Sequence, residues 1–266
     1  MPFLSVNGID YHYRTDGDGP PLLLIAGLAS DSASWAPVSG ALAKTARLIM
    51  PDNRACGQTQ ANRGEVSLTA FADDCIALLD HLGVKSANVL GHSMGGAIAM
   101  ELAATRPDRV NRLILCASAP KISARARQAI KSLADLRASE KATADWYRTF
   151  FCWLFAPAFF EDARAVDAAV AMAMAYPHRQ SAADMRRQID AMIGVDLTQK
   201  LHKIRANTLI LAGQYDILFP ACDIRNAYGA LEDVEISIFE NAAHSLHWDQ
   251  PQVFCERVER FLTSPR

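Results

Sequence analysis

The sequence predicts an α/β domain built on a mostly parallel, twisted sheet of about eight strands, flanked by helices and interrupted by one helical insertion. Three observations carry this. Short continuous apolar runs, such as Leu22-Leu23-Leu24-Ile25-Ala26 and Leu113-Ile114-Leu115-Cys116, lack the alternation of a half-exposed strand and suit parallel strands covered on both faces. Helix-like periodicity alternates with these runs up to residue 119, as parallel crossovers require. Between Pro120 and Leu201 no strand-like run appears, and alternation resumes afterwards. The predicted organisation is therefore core 1–119, helical lid 120–201 and core 202–266.

In chain order, Asn7-Gly8 between Phe3–Val6 and Ile9–Tyr13 is a strong hairpin signal, so the sheet opens with two antiparallel strands. Asp16–Pro21 is a turn, and the apolar run Leu22–Ala26 ends at Gly27-Leu28-Ala29. Ser32–Ala43 is predicted as one helix, Arg47–Met50 as a buried strand, and Leu68–Leu82 as a helix capped by Ser67 and stopped by Gly83. The strand Ala87–Leu90, the helix Ala97–Ala104 and the strand Leu113–Cys116 complete the first half. After the insertion come strands Leu209–Ala212 and Val234–Phe239 and a closing helix, Gln252–Leu262.

Composition narrows the function classes. Of 266 residues half are hydrophobic and 21% charged, with a formal net charge of -2, which leaves no basic footprint for nucleic acid and no polybasic membrane patch. The expected partner is a small, not strongly charged molecule. Six scattered cysteines without a Cys-x-x-Cys pair indicate neither zinc nor a disulfide framework, so no metal is expected. Met1–Tyr13 lacks the charged start and apolar core of an export signal, and no apolar run reaches about 18 residues. These features predict a cytoplasmic protein.

The chemistry centres on Gly91-His92-Ser93-Met94-Gly95. Gly-x-Ser-x-Gly between a strand and a helix forms a sharp turn that presents the serine hydroxyl at the sheet edge, with glycines where side chains would collide. A serine nucleophile needs a base, and the base needs an orienting acid. Asp216 and His244 follow the two strands beyond the insertion. Loops at the carboxyl ends of parallel strands share one rim, so the three can meet there. Ser93 would attack, His244 would move the proton and Asp216 would hold the imidazole tautomer.

With these residues in place, the chain resembles the α/β-hydrolase superfamily over essentially its whole length. Gly91–Gly95 resembles the nucleophile elbow, Gly213-Gln214-Tyr215-Asp216-Ile217-Leu218-Phe219-Pro220 the acid loop, and His244, seven residues before Pro251, the histidine loop. The resemblance implies an α/β-hydrolase fold and an oxyanion hole of two backbone amides: Met94, and one from the loop after Leu22–Ala26. Leu28 is the expected second donor, with Gly27 and Ala29 as alternatives. A common family pattern places a histidine before that loop's glycine, where this chain has Ala26.

Other residues compete for these roles. Asp52 also ends a strand, but Asp52–Gly57 resembles a structural loop of the superfamily, braced by Arg54. Cys56 has no histidine of its own and is expected to pack. His92 occupies an elbow position that points away from substrate, His247 is one step from His244 on the same loop, and His178 is expected at the surface. In the lid, Trp146, Trp153 and Phe155 are candidate pocket residues.

A serine at the elbow argues against the dehalogenases and epoxide hydrolases that the chain resembles, which carry aspartate there. The expected reaction is hydrolysis of a small carboxylic ester through an acyl-enzyme on Ser93, without metal or organic cofactor. The lid resembles those of enol-lactone hydrolases, which makes lactone, amide or C–C bond hydrolysis an alternative. Acyl transfer, perhydrolysis and a ligand-binding receptor on the same scaffold complete the set.

Overall fold

Asn7 and Gly8 both adopt positive φ, 48° and 76°, as a two-residue primed hairpin turn demands. They fold β1 (Phe3–Val6) back onto β2 (Ile9–Asp16) in the computed structural model, which describes residues 3–59, 64–139 and 143–265. β2 runs antiparallel to β4 (Arg47–Pro51), and β3 (Pro21–Ile25), β5 (Ala87–His92), β6 (Val110–Cys116), β7 (Asn207–Gly213) and β8 (Val234–Phe239) are parallel to β4. The eight-stranded order is β1-β2-β4-β3-β5-β6-β7-β8.

Alternate residues of the apolar runs enter two different cores. Leu23, Ile25, Val89, Leu113, Leu115 and Ile210 pack with Phe71, Leu78 and Ile98 of α2 (Leu68–His81) and α3 (Met94–Thr105). Leu22, Leu24, Leu90, Ile114, Leu209 and Leu211 pack on the opposite face. There they meet Val38 of α1 (Ala36–Leu42) and Phe254, Val258 and Phe261 of a C-terminal helix, Pro251–Thr263. Helices on both faces explain why these strands carry no polar alternation. Each buried Leu or Ile stabilises the sandwich by about 2 kcal/mol relative to exposure.

Among the elements that differ from the sequence reading are two helices. Ser32–Ala43 is divided into a 3-10 turn, Ser32–Trp35, and α1, because Pro37 has no N–H and fits only a helix's first turn. The helix after the elbow starts at Met94, not Ala97, so it springs directly from Ser93.

Between β6 and β7 the chain forms α4 (Ala124–Ser139), α5 (Ala144–Phe151), α6 (Pro157–Phe160), α7 (Ala163–Ala175) and α8 (Ala182–Met192). A bridge between Lys121 and Asp196 closes the base of this segment, with Leu197 donating its N–H to Pro120 O at 2.8 Å. Leu197 and Leu201 already belong to the sheet's core. The inserted helices dock on the loops beyond the strand ends: Tyr176 donates to Asp31 at 2.7 Å, Gln180 to Ala55 O at 2.7 Å and Gln188 to Arg54 O at 2.7 Å. After β7 come α9 (Ala221–Ala227), α10 (Leu246–Asp249) and α11, the C-terminal helix. Among the described residues no helix is long and apolar enough to cross a membrane.

Candidate active site

Ser93 sits where β5 meets α3 with φ 54° and ψ -116°, a region that costs a residue with a Cβ about 1–3 kcal/mol. The surrounding backbone enforces it. A Cβ on Gly91 would lie 2.1 Å from Gly95 O, and one on Gly95 would lie 2.0 Å from Ile25 O. β3, β5 and α3 therefore approach as closely as they do only because both positions are glycine. Ser93 N–H donates to Cys116 O at 2.9 Å, which fixes the elbow against β6.

Asp216 lies in the loop after β7, and three donors converge on its carboxylate. Oδ1 accepts from Leu218 N at 2.8 Å and Phe219 N at 2.9 Å, and Oδ2 accepts from His244 Nδ1 at 2.9 Å. With Nδ1 donating, His244 keeps Nε2 free as an acceptor, the form a general base requires. Asp216 and His244 are both buried. Phe219 stacks on the His244 ring with centroids 5.8 Å apart and 17° between planes, and it lines the same cavity as Ser93.

The neighbouring histidines are excluded from that role by their surroundings. His92 Nε2 donates to His244 O at 2.9 Å, so it braces the histidine loop from behind. Burial, with His244 nearby, lowers its pKa to about 3. His247 is buried against Trp35, His92 and Phe254, and desolvation lowers its pKa well below the ordinary value.

Asp52 is engaged elsewhere. It accepts from His12 Nδ1 at 2.8 Å, Ser32 N at 2.9 Å and Gln58 N at 2.8 Å. Arg54 braces this loop through Asp74, at 2.5 and 2.8 Å. Cys56 is buried, and desolvation with the charges of Asp31 and Asp52 raises its pKa well above the ordinary thiol value, which leaves it inert. His178 is exposed.

The sequence matches the alpha/beta hydrolase fold family over residues 20–251. The chain belongs to that family. Among its relatives, "Putative carbamate hydrolase RutD" of Azorhizobium caulinodans is 28% identical over 263 residues, covering 98% of each chain. The protein of the same name from Variovorax paradoxus is 30% identical over 257 residues, covering 94% of this chain and 95% of the relative. The enol-lactonase from Burkholderia xenovorans LB400 superimposes with a TM-score of 0.88 at 25% identity, covering 99% of this chain and 100% of that one. These likenesses support hydrolase activity for this α/β hydrolase.

The cavity of the α/β hydrolase corrects one expectation. Leu28, Ser93, Met94 and Phe219 line it, so both loops expected to supply oxyanion amides border the serine. Trp146, Trp153 and Phe155 do not. Trp146 packs with Ala134, Met185 and Ile189, stacks on Phe150 at 4.9 Å and donates its indole N–H to Leu133 O at 3.0 Å. Phe155 packs against Phe151 and Phe159. Large rings fill the gaps between inserted helices, where they bury the most surface, and aliphatic side chains form the cavity wall.

Lining residues that sequence reasoning missed include Ile130, Ile189, Met192, Phe219 and Arg127. Phe219 had a signal, since it lies in the acid-loop motif three residues after Asp216. The aliphatic wall had none, because apolar spacing on a helix does not distinguish a cavity-facing side chain from one packed on a neighbour.

Proposed function

We propose that this α/β hydrolase cleaves a small carboxylic ester through an acyl-enzyme on Ser93, with His244 as base and Asp216 as its orienting acid. The observation that carries the reading is the Asp216–His244 hydrogen bond at 2.9 Å, formed at the rim where Ser93 holds its strained elbow.

In the first half-reaction Ser93 Oγ attacks the carbonyl carbon while His244 Nε2 takes the hydroxyl proton. Asp216 steadies the resulting imidazolium. Negative charge on the carbonyl oxygen is met by the amides of Leu28 and Met94, each contributing about 3 kcal/mol at the transition state. Collapse breaks the ester C–O bond, and the proton on His244 passes to the departing alcohol. Water, deprotonated by His244, then attacks the acyl-enzyme; the bond to Ser93 Oγ breaks, His244 returns the proton to that oxygen, and the acid is released. The inserted helices 120–201 serve as a lid that keeps bulk water from this chemistry. A cytosolic setting is part of the same proposal and draws support from the six scattered cysteines without a Cys-x-x-Cys pair.

A second reading, lactone opening, draws on the likeness to the enol-lactonase across 99% of this chain. Both reactions use the same serine and oxyanion site. The carbamate name of the RutD relatives places a third carbonyl substrate in the comparison.

The test is hydrolysis of p-nitrophenyl acetate, butyrate and octanoate by wild type and Ser93→Ala, with an enol-lactone and a carbamate in parallel. Ester turnover abolished by the substitution is the expected result, and the preferred chain length sizes the cavity. Ester turnover that survives in Ser93→Ala removes the scheme. Turnover restricted to the lactone or carbamate moves the assignment to that substrate while keeping the serine mechanism.

A further inference from the structure

The cavity beside Ser93 is apolar on nearly every side, and among the described residues Arg127 is the one charged residue in its lining. Arg127 sits in the first turns of α4 and is half-buried. Among the described residues no aspartate or glutamate shares the lining. Among the described residues none forms an ion pair or side-chain hydrogen bond with Arg127.

Several other cations of the inserted segment have partners. Arg125 donates to Ile217 O at 2.7 Å, Lys121 pairs with Asp196 at 2.7 Å and Arg148 with Asp167 at 2.7 Å. Two residues along a helix rotate by about 200°, so Arg125 and Arg127 must face opposite ways. The first reaches the backbone of the acid loop, and the second is left to the cavity.

A half-buried arginine in an otherwise aliphatic lining has no counter-charge among the described residues, and the fork of N–H donors at the end of its side chain matches a carboxylate. Ile122, Ile130 and Ile193 in the same lining exclude part of the water that would otherwise weaken such a contact. We propose that the acyl substrate carries a second, anionic group, a carboxylate at the end remote from the scissile carbonyl, and that Arg127 binds it. This rests on the ester-hydrolase reading of Ser93 and names its substrate class: half-esters or lactones that bear a free carboxylate. A formal net charge of -2 over the chain says nothing of a single cation lining a pocket, so the proposal departs from the expectation of a substrate that is not strongly charged.

The experiment compares monomethyl succinate, glutarate and adipate with methyl butyrate, pentanoate and hexanoate, followed by proton release, for wild type, Arg127→Gln and Arg127→Lys. Wild type is expected to favour at least one half-ester over its neutral counterpart by about tenfold or more in kcat/KM. Arg127→Gln should lower that preference at least about tenfold, mainly through KM, and Arg127→Lys should restore part of it. A wild type without preference, or a preference unchanged in Arg127→Gln, overturns the proposal. If wild type turns over none of these esters, the ester-hydrolase reading fails on its own, and the binding of glutarate against butyrate to the Ser93→Ala protein decides. Glutarate affinity that exceeds butyrate affinity and is lost with Arg127→Gln sustains the site, and equal affinities remove it.

Discussion

Ser245 donates its backbone N–H to the carbonyl of Leu154 at 2.8 Å, tying the histidine loop to the inserted helices one residue past His244. On the other side of His244, Ala243 N donates to Asp249 Oδ2 at 2.8 Å, and Asp249 Oδ1 accepts from Ala156 N at 3.2 Å. The ring that pairs with Asp216 is therefore held by two backbone amides, both anchored to the 154–156 turn. Asp249→Ala leaves the amides of two buried alanines without their acceptor, at a cost of about 2 kcal/mol. It should also lower kcat more than it raises KM, since it loosens the base and not the cavity wall. Asp249→Asn, which keeps one acceptor oxygen, should fall between. Denaturant titration with steady-state kinetics on the same preparations measures both, and wild-type kcat in Asp249→Ala would sever the link.

The elbow and α1 offer a matched pair of glycines. A Cβ on Gly95 meets the Ile25 carbonyl at 2.0 Å, while one on Gly40 meets nothing within 4 Å. Gly95→Ala forces β3 from α3, and backbone cannot yield as a flexible side chain can, so a loss of about 3 kcal/mol or more and loss of activity are expected. Gly40→Ala, on an exposed helix position, should stabilise by about 1 kcal/mol. Urea midpoints of the two variants should move in opposite directions. A stable, active Gly95→Ala protein would contradict the packing described at Ser93.

What was legible in the sequence follows from what each segment touches. β3, β5, β6 and β7 read as buried parallel strands because Leu22 and Leu23, or Leu113 and Ile114, enter opposite cores and must both be apolar. Ser93, Asp216 and His244 were legible because each follows a strand whose end the pattern locates. The His12–Asp52 pair at 2.8 Å was not, since it joins residues forty apart whose local contexts say nothing of each other. Nor was the cavity wall. Trp146 and Phe155 drew attention by size, yet their rings settle between helices, and Ile130 and Ile189 look like any other core positions until the helices are placed.

His92 gives a pH dependence with a defined sign. Its folded-state pKa lies at about 3 against an ordinary 6.5, chiefly through burial. Between those values the unfolded chain binds a proton that the folded one does not, so stability rises with pH across that window and is lost as the solution is acidified. The slope is about 1.4 kcal/mol per pH unit for this group. His247, also lowered by burial, acts in the same direction. His92→Gln keeps a donor for His244 O and has nothing to titrate, so its stability should fall less steeply than that of wild type between pH 6.5 and 5, by about that slope. Unfolding curves at a series of pH values provide the comparison, and parallel slopes would contradict a buried neutral His92.

Strain at Ser93 can be separated from chemistry. At φ 54° and ψ -116° a residue with a Cβ is held in a sparsely populated conformation, whereas glycine enters it freely. Ser93→Ala retains the Cβ and hence the strain, so its stability should match wild type within about 0.5 kcal/mol. Ser93→Gly removes the strain but loses more chain entropy on folding, about 1 kcal/mol, which offsets part of the gain. A net stabilisation of about 1 kcal/mol is expected for Ser93→Gly, with both variants inactive on esters. Thermal and urea unfolding of the three proteins rank them. A Ser93→Gly protein less stable than Ser93→Ala would mean that the elbow carries no strain to release, and that its sharp turn is simply the relaxed geometry of the β5–α3 junction.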